Sequence, residues 1–96
     1  SSIKSYCTPN YSNKVVKAWN TLYTAETDGY VYVSIDAYAS NDATLTINSI
    51  AFLIGVFGPG NNCFYSLCMP VAKGDTYRAY GGVDSPTMIF IPMKGV

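Results

Sequence analysis

Glu26 and Asp28 stand two residues apart, the nearest pair of carboxylates in the chain. Paired carboxylates are the working parts of a glycosidase, which needs them held roughly 5–10 Å apart across a sugar, one as acid and one as base or nucleophile. Here Thr24 and Thr27 flank them, and Asp28-Gly29 directly precedes a strand-like run, so the pair reads more simply as turn chemistry. The remaining acids, Asp36, Asp42, Asp75 and Asp84, are isolated in sequence. There is no histidine, which excludes His-based triads and His metal sites. Cys7, Cys63 and Cys68 are nucleophiles without an obvious base, and no Cys-x-x-Cys occurs. Gly58-Pro59-Gly60 leads into a strand and not a helix, so it does not cradle phosphate. The chain is therefore expected to be no enzyme and to hold no metal and no cofactor.

Binding chemistry is better represented. Trp19 is the only tryptophan, read first as core or interface packing and second as a stacking platform for sugar. Tyr30, Tyr32 and Tyr38 share one face of a strand and carry the same two readings. Arg78, the only arginine, fits an inter-subunit ion pair or an anionic ligand group, the ion pair being the simpler. Three cysteines leave at least one unpaired. Cys63 and Cys68 are five apart in one strand, on opposite faces, which disfavours a bond between them. All three read as free thiols formed in a reducing compartment.

At 96 residues one domain is the prior. Such a domain buries only roughly 60–65% of the surface its unfolded chain exposes. Yet 49% of the residues are hydrophobic and 12% charged, against about 25% charged in ordinary soluble domains. Some apolar surface is thus expected to be buried against another chain. Six basic and six acidic residues cancel, leaving no electrostatic footprint for nucleic acid or anionic membrane. The longest apolar run, Ile50 to Phe57, has strand length and falls short of the roughly 18–20 residues of a membrane helix. The chain opens Ser1-Ser2-Ile3-Lys4 and is expected to continue from a longer polypeptide.

Strand formers punctuated by turns predict an all-β sandwich or barrel of about seven or eight strands. Residues 1–14 read as irregular and 15–96 as the folded domain. Val15–Tyr23 reads as a first strand and Thr24–Asp28 as a turn. Gly29–Ala39 is the clearest strand, with Val31, Val33, Ile35, Ala37 and Ala39 on its core face. Ser40-Asn41-Asp42 makes a turn, Thr44–Asn48 a strand and Asn48-Ser49 a tight turn. Ile50–Phe57 is apolar on both faces, so its second face is expected to meet another subunit. A loop at 58–62 precedes the strand Cys63–Met69, which Pro70 is expected to end. Lys73-Gly74-Asp75 turns into Thr76–Tyr80. Gly81-Gly82 and Asp84-Ser85-Pro86 form a loop before Thr87–Met93, with Pro92 at an edge or a strand end.

Four segments, in order, carry a family resemblance. Tyr23-Thr24-Ala25-Glu26-Thr27-Asp28-Gly29-Tyr30-Val31 looks like the strand entry of small trimeric viral and phage tip domains, with Glu26 where proline is common. Thr44-Leu45-Thr46-Ile47-Asn48 resembles their hairpin, with Ser49 where glycine is common. Met69-Pro70-Val71-Ala72-Lys73-Gly74-Asp75-Thr76-Tyr77 and Phe90-Ile91-Pro92-Met93-Lys94-Gly95 are similar to two further elements of phage tail-fibre tips. Together they span most of residues 23–95. The resemblance implies an antiparallel β-sandwich of jelly-roll type, similar to tumour-necrosis-factor-like and complement-type heads. It further implies a homotrimer in the virion, assembled in the host cytoplasm, that binds a bacterial surface glycan or protein. The alternative is a trimerisation domain of a fibre or depolymerase with no ligand of its own. Neither reading involves nucleic acid or membrane insertion.

No binding residue transfers by motif, so ligand contacts are sought in the loops. Asn41, Asp42, Asn61, Asn62 and Asp84 are the candidates, with side chains suited to hydrogen-bonding a sugar. Strand parity puts their loops at one end of the sandwich, together with the incoming chain. The opposite end holds Thr24–Asp28, Asn48-Ser49 and Pro70–Gly74, where Glu26, Thr27 and Lys73 form the alternative set.

Overall fold

The computed structural model describes residues 8–37, 42–56, 63–82 and 84–94, with 36–37, 42, 55–56, 63–64 and 84 described by backbone alone. Strand alternation organises the core. In β3 (Gly29–Ala37) Val31, Val33 and Ile35 point inward and are buried. The strand pairs with β6 (Cys63–Val71) on one side and β8 (Asp84–Pro92) on the other. A short edge strand, β1 (Val15–Lys17), completes this first sheet in the order β1-β8-β3-β6. The second sheet runs β2-β7-β4-β5, from β2 (Tyr23–Thr24), β7 (Thr76–Tyr80), β4 (Asp42–Ile47) and β5 (Ile50–Val56).

These two orders have one simple origin. Strands 1 and 8, 2 and 7, 3 and 6, and 4 and 5 are antiparallel neighbours, as in one long hairpin folded at Asn48-Ser49. Rolling that hairpin so that β8 meets β3 and β7 meets β4 produces two four-stranded sheets. That is the jelly-roll form of β-sandwich, as expected. Between the sheets lie Ala43, Leu45, Ile47, Ile54, Val71, Tyr77, Ala79, Met88 and Phe90 with the β3 residues. Asn48 and Ser49 have φ of 52° and 67°, the two left-handed residues of a tight hairpin turn.

Three sequence expectations are corrected. Val15–Tyr23 is two strands in two sheets. Trp19 and Asn20 turn the chain between them, with Asn20 at φ 61°. The Asn20 amide donates to the Ala79 carbonyl at 2.7 Å, and the Trp19 Nε1–H donates to the Gly81 carbonyl at 3.0 Å. Pro70 does not end β6; it pairs with Tyr30 inside the strand, tolerated because β6 is an edge. Asp84-Ser85-Pro86 is not a loop but the start of β8. Ser85 and Pro86 together oppose Ile35, a bulge that Ser85 makes with φ 47°.

The extra crossover at Trp19-Asn20 reverses the parity of the sandwich. The incoming segment now lies beside the end of β8: Pro9 bridges Met93, and the Asn10 amide donates to the Pro92 carbonyl at 2.7 Å. The Met93 amide donates to the Asp28 carbonyl at 3.1 Å. Incoming and outgoing segments therefore share the end that holds residues 25–28, 48–49 and 72–75. The strand ends that flank 38–41, 57–62 and 81–83 are at the other end.

Candidate functional site

Three connections converge beside the chain ends and are tied to one another. The Ala25 amide donates to the Asp75 carbonyl and the Gly74 amide to the Ala25 carbonyl, both at 2.8 Å. The Asp75 carboxylate accepts from Asn48 Nδ2 at 3.0 Å and from the Ala72 amide at 2.8 Å. Those bonds, the Asn48 one foremost, hold its pKa below the ordinary aspartate value. Asn48 Oδ1 in turn accepts from the Thr76 amide at 2.9 Å. Asp28 Oδ1 accepts from the Lys73 amide at 2.8 Å. Lys-Gly-Asp chemistry makes this possible: Gly74 takes φ 93°, a value its neighbours adopt only under strain.

Beside this tied end a cleft of about 270 Å³ opens between the edge strands β1 and β2. Val15, Lys17, Thr24, Glu26, Thr27, Tyr77, Phe90 and Pro92 line it. Two of its lining residues, Tyr77 and Phe90, belong to an aromatic stack. Tyr23 and Tyr77 have ring centroids 5.6 Å apart, and Tyr77 and Phe90 5.9 Å. Burial, with smaller contributions from Tyr23 and Glu26, pushes the Tyr77 phenol up to about 12. Lys17 Nζ lies 4.8 Å from the Tyr23 ring centroid, a cation–π contact at the rim. An adjoining hollow of about 290 Å³ is lined by Glu26, Thr27, Asp28 and Lys73. The two share Glu26 and Thr27, so the alternative set of the sequence reading is brought together in one surface.

The five first-choice residues fare differently. Asn41, Asn61 and Asn62 lie outside the described residues. Asp42 and Asp84 are not in loops: they open β4 and β8, paired with Val56 and Asp36. Trp19 packs partly buried against the core. Arg78 lies over Tyr80, 4.6 Å from its ring centroid, beside a hollow on the outer face of the second sheet. Among the described residues no cluster of three metal-ligating side chains occurs.

The outer face of the first sheet is the other notable surface. Register places Val16, Ile89, Tyr32 and Cys68 in one cross-strand row. Ile91, itself buried within the chain, Tyr30 and Pro70 form the next, then Thr87, Ser34 and Ser66. These three rows hold no residue with a formal charge; the next row in register is Asp84, Asp36 and Phe64, where acids enter the face. Val16 is 72% exposed. Cys68 is a free thiol whose pKa desolvation raises, so it stays neutral. On the second sheet, edge strand β5 turns Ile54 to the core and leaves Ile50 and Leu53 exposed. Sequence reasoning named the tyrosine face but not its extension across β1, β6 and β8, which only the register supplies.

No protein-family model matches the chain, and no curated protein matches it.

Proposed function

We propose that the chain is the receptor-binding head of a phage-type tail fibre, acting as a homotrimer that attaches to a bacterial surface. The observation that carries this reading is the run of three uncharged cross-strand rows on the outer face of the first sheet. A sheet face in water ordinarily alternates to polar and charged residues. Here the row from Val16 to Cys68 is apolar or aromatic throughout, in a chain with 12% charged residues. A second copy of the chain is the partner that explains both facts, since charge depletion and aromatic enrichment mark the centre of interfaces. The number three comes from the resemblance of the four ordered segments to trimeric tips. Glu26, Thr27, Asp28 and Lys73 line one hollow at the end where the chain enters and leaves, and Glu26 is exposed there to a receptor. Three such ends on one rigid head give avidity without strong single contacts.

Light scattering on the isolated protein tests the assembly: a mass about three times 10.4 kDa is the expected result. A monomer at micromolar concentration overturns the proposal. Binding of the labelled trimer to bacterial cells tests the attachment. A trimer that binds no cells across a broad strain panel points instead to a trimerisation domain without a ligand.

A further inference from the structure

We propose that the cleft between β1 and β2, with its extension along Glu26–Asp28, is a binding site for a neutral carbohydrate. This rests on the reading of the chain as a binding head and names the ligand class for it.

The cleft exists because both edge strands are very short. β1 and β2 each have one ladder partner, so the sandwich stays open between them and the sides of Tyr77 and Phe90 form the back of the gap. Its chemistry is mixed in a particular way. Lys17 donates, Glu26 accepts, Thr24 does both, and Thr27, whose hydroxyl donates to the Asp28 carbonyl at 3.2 Å, accepts. Val15 and Pro92 supply hydrocarbon beside them. A sugar matches that combination, with hydroxyls that need both donors and acceptors and C–H faces that pack on apolar surface.

Charge decides against ionic ligands. Lys17 and Lys73 are balanced by Glu26 and Asp28 across the two hollows, so no net field selects an anion or a cation. The ammonium of Lys17 already sits over the Tyr23 ring, and the carboxylate of Asp28 already accepts from the Lys73 amide. Glu26 is exposed and forms part of both hollows. Each hollow lies near the lower end of the ~300–1,000 Å³ range of ligand pockets, which suits one sugar ring each and a disaccharide across both. The wall is held in place before any ligand arrives. Ala25 is bonded to Gly74 and Asp75, and Asp28 to Lys73 and Met93, which lowers the ordering cost of binding.

The test is saturation-transfer NMR on the intact chain with glucose, galactose, mannose, N-acetylglucosamine, lactose and maltose, and with sialic acid and glycine as charged probes. At least one neutral sugar should saturate, and Glu26→Gln and Thr27→Val should each weaken it about tenfold, the effect of losing one good hydrogen bond. Arg78→Ala, at the hollow on the other sheet, should leave binding unchanged. Sugar binding that ignores both cleft variants overturns the site. Saturation by the charged probes alone overturns the ligand class. If no neutral sugar binds while the trimer still attaches to cells, this proposal falls and the binding head stands. If a wild-type trimer attaches to no cell, the head reading falls first.

Discussion

Asp75 and Asn48, 27 residues apart in sequence, hold each other across two turns. Asn48 Nδ2 donates to Asp75 Oδ1 at 3.0 Å while the other Asp75 oxygen caps the Ala72 amide. Both bonds favour the charged carboxylate, so its folded pKa lies below its ordinary value of 3.8. A depressed folded pKa contributes stability that is complete above the unfolded pKa. That contribution is lost as pH falls from near 3.8 through the lower folded value. Asp75→Asn should therefore lower the melting temperature at pH 7 and narrow its gap from wild type toward pH 2. Thermal unfolding across that range reads both; a gap independent of pH contradicts the charged-carboxylate account.

Gly29 is fixed by space and not by an unusual φ. A Cβ there would press into the Ile91 carbonyl oxygen and lie 2.8 Å from Phe90 Cζ and 3.1 Å from Pro92 Cα. Two of these obstacles are backbone in the adjoining strand, so the sheet itself must shift. Gly29→Ala should cost about 1–3 kcal/mol, the range for overpacking a core. Gly74→Ala meets nothing within 4 Å but keeps φ at 93°, so it should cost about 1–2 kcal/mol from backbone strain alone. Urea denaturation of both variants reads the two costs, and adding Phe90→Leu should rescue neither, because the obstacle nearest the Gly29 Cβ is the Ile91 carbonyl of the backbone.

Much of this architecture was legible from local pattern. Alternation in Gly29–Ala37 and the turn residues Asn48-Ser49 and Lys73-Gly74-Asp75 are decided by neighbours in sequence, so they read correctly. The split of Val15–Tyr23 is decided by Ala79 and Gly81, some sixty residues away, and no periodicity within the segment carries that information. Pro70 and Ser85-Pro86 misled for a related reason. Both are strand breakers only when the ladder needs their amide, and edge position and bulge remove that need. The cleft was less legible still, because Lys17, Glu26, Tyr77 and Phe90 meet only when β1 and β2 part to opposite sheets. Glu26 and Thr27 did stand out as polar residues in a turn, but their neighbours there could not be known.

Ser49 is a second backbone test, of opposite sign. It holds φ 67° at the second position of a hairpin turn in which Asn48 holds 52°. Asparagine tolerates the left-handed region and glycine adopts it freely, whereas serine bears a Cβ cost there. Asn-Gly is the preferred pair for this turn. Ser49→Gly should thus stabilise the fold by about 0.5–1 kcal/mol, because the relieved strain exceeds the added chain entropy of glycine. A rise in the urea midpoint with an unchanged slope is the expected reading. A fall would show that the turn is held by contacts of the serine hydroxyl and not by backbone geometry.

Placing charge on the first sheet separates self-association from folding. Val16 is 72% exposed and lies in register with Ile89, which pairs with Tyr32 on the next strand. In a lone chain Val16→Glu and Cys68→Glu, at two exposed positions of one row, put a carboxylate into water, where surface substitutions change stability by roughly 0.5 kcal/mol or less. In an assembly packed on this face the same carboxylate is buried without a partner, which costs several kcal/mol and empties the interface. Each variant should therefore scatter light as a 10.4 kDa monomer while keeping the wild-type β circular dichroism spectrum. Leu53→Glu, on exposed edge strand β5 of the other sheet, is the control and should leave the assembly intact. Should Leu53→Glu dissociate the protein and Val16→Glu leave it whole, the subunits meet through the second sheet, where Ile50 and Leu53 are the exposed apolar residues.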